Sequence, residues 1–129
     1  MTTELWYLAA VALLTAVLWV PYTVNLIAVR GLRDAVGYPE NPAPLASWAQ
    51  RLKKAHYNAV ENLVVFAPLV LVAHLVEASG EATALACQVY FWARVVHALA
   101  YTFAVPLVRT LAFVTGWGAI VALAWQILG

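Results

Sequence analysis

No charged residue interrupts the chain from Leu5 to Val29, a stretch of about 25 positions. A helix needs about 20 apolar residues to cross a hydrocarbon core. The stretch therefore predicts a membrane span. Met1-Thr-Thr-Glu4 offers no positive flank, and the run is too long for the apolar part of a secretory signal, so the span is expected to be retained. Composition agrees: 65% of the 129 residues are hydrophobic and 10% are charged, against about a quarter charged in a soluble domain.

Three further spans are expected at about 48–78, 81–105 and 107–128, giving four with the first at 5–29. Pro21 and Asn25 in the last third of the first predict a kink or a polar contact there. Gly37, Pro39, Pro42 and Pro44 make the connector 31–46 a structured loop. Ser47 and Gln50 fit a capping box that starts the second helix, Ser79-Gly80 closes it, and Pro106 interrupts the third. Short connectors make successive helices antiparallel neighbours. The predicted fold is all-α, an integral membrane four-helix bundle forming one domain over 1–129.

Arg30, Arg33, Arg51, Lys53, Lys54 and Arg109 all fall at one end of this arrangement, and Glu4, Glu77 and Glu81 at the other. The positive-inside rule then places the basic loops on the cytoplasmic side and both termini on the opposite side. A net charge of +1 lacks the excess of Lys and Arg that nucleic acid requires, so no nucleic-acid partner is expected. The one cysteine, Cys87, allows no internal disulfide and reads as a small core residue. His56, His74 and His97 share no i, i+3 or i+4 spacing, so no metal site is expected.

The segment Arg51 to Asn62 feeds cations, amides and a carboxylate into the apolar run 63–76. Arg51, Lys54, Asn58, Glu61 and Asn62 recur at three- and four-residue steps and form a stripe. On the next helix Tyr90, Arg94, His97 and Tyr101 form another. An ionisable group within the bilayer costs about 2.5–3.5 kcal/mol on insertion scales. The plainer reading is a Glu61–Arg94 ion pair that sets helix register, since buried pairs rarely add net stability. Yet Asn58, Asn62, His97, Tyr101 and Arg109 supply more donors than one carboxylate can satisfy. Such a surplus suits an anionic ligand.

At these residues the chain resembles the family of membrane-associated proteins in eicosanoid and glutathione metabolism (MAPEG), most closely its microsomal glutathione transferase branch. Three blocks carry the resemblance: Arg51-Leu-Lys-Lys-Ala-His-Tyr-Asn-Ala-Val-Glu-Asn-Leu-Val-Val-Phe66; Ala93-Arg-Val-Val-His-Ala-Leu-Ala-Tyr101 with Pro106; and Arg109-Thr-Leu-Ala-Phe-Val-Thr-Gly-Trp-Gly118. The resemblance implies a homotrimer that binds glutathione between subunits near the cytoplasmic face. Arg51, Lys54, Asn58, Glu61, Arg94, His97 and Tyr101 would contact glutathione, and Arg109 would be the catalytic cation that stabilises its thiolate. Lys54 stands where the family usually has arginine, and Tyr57 where some members carry another, so a different thiol is an alternative.

The expected function is a membrane-bound thiol-dependent transferase or peroxidase acting on a lipophilic small molecule, an electrophile or lipid hydroperoxide taken from the lipid bilayer. The alternative is a non-catalytic protein that binds a lipid or a partner through the same polar pocket. A transporter is disfavoured, because the chain shows no broken-helix repeat.

Overall fold

The computed structural model describes residues 1–129 and is built of helices alone. In order these are α1 (Thr3–Val17), α2 (Trp19–Arg30), α3 (Leu32–Val36), α4 (Ser47–Leu75), α5 (Glu81–Thr102) and α6 (Val108–Leu128). Thr3–Arg30, Ser47–Leu75 and Val108–Leu128 are each long and apolar enough to cross a membrane. The 22 residues of α5 include Gln88, Arg94 and His97, which dilute its hydropathy, and α5 is not among those three.

The first apolar segment breaks at Leu18. Pro21 has no N–H for the Val17 carbonyl four residues earlier, and its ring crowds that carbonyl. The break redirects the chain. α1 packs against α4 and α5, whereas α2 packs against α4 and makes no contact with α5. Two polar contacts hold α2 in its new course. The Tyr22 hydroxyl lies 2.7 Å from His56 Nδ1, and the Ala46 N–H donates to Asn25 Oδ1 at 2.9 Å. Both the kink and the polar contact expected from Pro21 and Asn25 are present.

The expected Ser47–Gln50 capping box does not form. Ala46 occupies the N-cap position, which leaves Ser47 one residue inside the helix. Gln50 Nε2 turns back to the Leu45 carbonyl at 2.7 Å. The far end also differs from expectation, since α4 stops at Leu75 rather than 78. Glu77 takes a left-handed conformation (φ 57°), and the Ala78 N–H reaches the Ala73 carbonyl at 2.8 Å. This is a Schellman closure without glycine. Gly80 serves instead as the N-cap of α5.

At that N-terminus lies a carboxylate from the other end of the sequence. Glu4 is only 3% exposed, and its Oε1 accepts hydrogen bonds from the Gly80 N–H (3.1 Å) and the Thr83 hydroxyl. A carboxylate satisfies the free N–H groups of a helix start and complements its dipole. Glu4→Ala is expected to cost about 1.5–3 kcal/mol, the worth of charge-assisted bonds. Thermal melting in detergent reads the loss, and hydrogen exchange should accelerate at Gly80–Ala84 before the rest of α5.

The apolar core fills the half of the molecule nearest Gly80. Val11, Phe66, Val70, Ala86, Cys87, Tyr90, Ile120 and Leu123 meet there, with Phe66 stacked on Tyr90 at 3.9 Å between ring centroids. Cys87 is a fully buried part of this cluster, as its apolar setting suggested. Gly116 of α6 packs against Ala93 and Tyr90 of α5, a close approach that small residues permit. A Cβ on Gly118 would meet nothing, so only the first of the two glycines serves helix contact. The polar residues are left to the opposite, basic half.

Candidate functional site

α5 supplies the centre of that half. Arg94 and His97 are each 3% exposed. The Arg94 guanidinium donates from Nη2 to Asn58 Oδ1 on α4 at 2.7 Å, and His97 Nδ1 lies 3.4 Å from the same nitrogen. Asn62 Nδ2 donates to the Asn58 carbonyl (2.8 Å) and touches its Oδ1 (3.3 Å), which orients the amide toward Arg94. Arg94 Nε is buried with no partner, and so is the Tyr90 hydroxyl one turn earlier.

The expected bridge from Glu61 to Arg94 is absent; the amide of Asn58 takes its place. Helical geometry explains why. At about 100° per residue, Arg51, Asn58 and Asn62 share the face of α4 turned to α5, whereas Lys54 and Glu61 are rotated about 60–80° from it. Lys54 and Glu61 are both exposed on the chain's outer surface. The single stripe read from the sequence is therefore two adjacent faces. Lys54 lines a separate cleft with Gln50, Lys53 and Tyr57 beside the connector residues Pro44 and Leu45.

Arg51 and Arg109 converge at the end of α5. Arg51 Nε donates to the Thr102 carbonyl at 3.0 Å, and the Arg109 guanidinium lies 4.6 Å from the centroid of the Tyr101 ring. Tyr101 in turn meets His97 edge-to-face at 5.7 Å. Arg51, Tyr101 and Arg109, together with connector residues 104–107, line a pocket of about 220 Å³. The connector is tightly wound. Ala104 (φ 56°) closes α5, and Leu107 (φ 70°) centres a three-residue turn in which the Val108 N–H reaches the Pro106 carbonyl at 2.8 Å. Positive φ at such residues stores strain of about 1–3 kcal/mol each, and strain of this kind clusters at functional sites.

Of the eight expected site residues, the fold thus gathers Arg51, Tyr101 and Arg109 around one pocket. It places Asn58, Arg94 and His97 in the buried network behind it, and sets Lys54 and Glu61 outside. Sequence reasoning did not find the Thr102 carbonyl, the Tyr22–His56 contact or the Glu4 cap. Each joins residues far apart in the chain with no periodic signal to connect them. No three His, Cys, Asp or Glu side chains come together as a metal-binding group. Chemically, the site offers the three guanidinium groups of Arg51, Arg94 and Arg109 with no carboxylate bound to them. Anions pair with such groups through short, charge-assisted hydrogen bonds.

The family model described as the MAPEG family matches residues 7–129. No curated protein and no solved structure matches the chain.

Proposed function

Because this chain belongs to the MAPEG family of integral membrane proteins, we propose that it is a membrane-bound transferase or peroxidase. It uses glutathione or another thiol against lipophilic electrophiles or lipid hydroperoxides, in the manner of the microsomal glutathione transferase branch. The observation that carries the reading is the set of guanidinium groups of Arg51, Arg94 and Arg109 at one end of the bundle, with Arg94 Nε buried and unpartnered. A thiol of pKa about 8.5 is mostly protonated at neutral pH, and an adjacent cation favours its thiolate. Arg109, the most exposed of the three, supplies that cation. The bound thiolate then attacks the electrophilic carbon: a C–S bond forms, the leaving group departs with its electron pair, and the thiol proton passes to solvent; with a lipid hydroperoxide, two thiols are oxidised to the disulfide as the hydroperoxide is reduced to the alcohol and water.

In this reading all four long helices cross the bilayer. The polar Arg94 and His97 of α5 are buried against its neighbours, and the basic loops and the site face the cytoplasm, with both termini opposite. The working form is a homotrimer. Ligand pockets typically occupy about 300–1,000 Å³, more than the 220 Å³ beside Arg109. Lys54 and Glu61 face outward on α4, so a neighbouring copy would bring them into reach and complete the wall. Arg51, Lys54, Asn58, Glu61, Arg94, His97 and Tyr101 bind the thiol peptide.

The test is conjugation. Detergent-purified protein given glutathione and a generic aryl halide should form the thioether, or reduce a lipid hydroperoxide. If it does neither with glutathione or with other low-molecular-weight thiols, the enzymatic reading fails. The protein would then be a non-catalytic member that holds a lipid or a partner in the same pocket.

A further inference from the structure

The thiol chemistry uses one side of α5, the side on which Arg94 meets Asn58 of α4. At about 100° per residue, Gln88, Trp92 and Val96 lie about 120–160° around the helix from Arg94. There α5 meets α6 along a groove of about 490 Å³, lined also by Leu85, Leu111 and Thr115. Leu85 and Trp92 are each 59% exposed and Leu111 55%, and Gln88 is exposed beside them. The groove therefore opens sideways, on the outer surface of the bundle.

Two of its side chains are at odds with a wall that meets only acyl chains. The 22 residues of α5 span about 33 Å, so Gln88 lies about 10 Å and Trp92 about 16 Å along the helix from Glu81. With α5 crossing the bilayer, both fall inside a hydrocarbon core about 30 Å thick. Tryptophan normally marks the two interfaces instead, and an amide without a partner is costly in an apolar medium. The Thr115 hydroxyl on the facing helix already donates to the Leu111 carbonyl at 2.8 Å. The Gln88 amide and the Trp92 indole N–H, one turn apart, hold no such bond within the chain. A phospholipid brings only hydrocarbon to that depth, and its polar groups stay at the interface. The groove thus offers two N–H donors beside an exposed aromatic face, and its missing complement is an acceptor.

We propose that this groove binds the head of an isoprenoid quinone, a flat ring that resides within the hydrocarbon, carries carbonyl acceptors and has no donor of its own. The Gln88 amide donates to one carbonyl, the Trp92 indole stacks on the ring, and the apolar walls take the adjoining part of the tail. Ring stacking on an exposed indole and one placed hydrogen bond are the usual means by which a mostly apolar site fixes a ligand's orientation. The size, about 490 Å³, falls within the range of ligand sites at about 300–1,000 Å³. Selection rests on the carbonyl, because bilayer hydrocarbon is as apolar as the groove and gives no transfer energy. The proposal depends on α5 crossing the bilayer and is independent of the thiol chemistry at Arg109.

The test titrates the full protein, in nanodiscs of synthetic lipid, with a fully substituted benzoquinone carrying a decyl tail, and reads the quenching of tryptophan fluorescence. The wild-type protein should show a saturable component. Trp92→Phe should remove most of it, and Gln88→Leu should raise its half-saturation concentration about tenfold; both positions are exposed, so neither substitution disturbs the core. A decyl-tailed alkylbenzene of the same size, which lacks the carbonyls, should fail to displace the quinone. Quenching that only rises in proportion to the quinone in the bilayer would overturn the proposal. So would a saturable component indifferent to Gln88→Leu, or one that the alkylbenzene displaces equally well. A Gln88→Cys variant that forms an intermolecular disulfide in native membranes would give the groove to a second copy of the chain, and would also overturn it.

Discussion

Arg109→Ala is expected to lower kcat/KM for thiol conjugation about 100-fold, as removal of one charge-stabilising donor typically does. The fold should be untouched, because Arg109 is exposed and its main neighbour is the face of Tyr101. The pH profile identifies the cause. With the guanidinium present, the thiol is held below its usual pKa of about 8.5, and the rate should be nearly flat from neutral pH upward. Without it the thiolate fraction falls tenfold for each pH unit below that value, so the variant's rate should climb steeply and level off only above it. Arg109→Lys keeps the charge but loses the planar fork, and should fall between the two. A variant as fast as wild type at neutral pH would remove Arg109 from the chemistry.

The second large effect concerns the buried network. Asn58→Leu deletes the oxygen that binds Arg94 at 2.7 Å and leaves a guanidinium that is 3% exposed with almost no partner. The expected loss is about 1.5–3 kcal/mol, since a charged donor left unsatisfied costs its desolvation. Arg94→Met removes the charge along with the need for a partner, so its stability should stay much closer to wild type. The double variant should melt near Arg94→Met and well above Asn58→Leu. Thiol binding should be lost in both variants that lack Arg94. If Arg94→Met proves the less stable of the two single variants, the guanidinium is there chiefly to hold the helices together, and the ligand reading of the network weakens.

Much of this could be read from residue order. The apolar runs exposed the long helices, because bilayer thickness sets a length that few soluble helices reach with so little charge. Arg94, His97 and Tyr101 were visible as a face at helical spacing, and the three blocks from Arg51 to Gly118 pointed to the family that the match over 7–129 establishes. Residue order is ambiguous where several face assignments compete. Arg51, Asn58 and Glu61 all fit three- and four-residue steps, but the steps accumulate rotation, so Glu61 ended on the outer face and Asn58 became the partner of Arg94. Helix ends differ from the sequence expectation because Glu77 and Ala104 adopt positive φ without being glycine. No local rule reveals that. Glu4 capping α5 joins positions 4 and 80, a contact that only the packed bundle creates.

In the proposed function, the basic end of the bundle turns a thiol into a thiolate. Ultraviolet difference spectroscopy on the wild-type protein, titrated with glutathione at neutral pH, measures this without any electrophile. The expected result is a thiolate band that saturates with glutathione and disappears when Arg109 is replaced by alanine. Glutathione that binds with no thiolate band, or a band equally strong without Arg109, would contradict it.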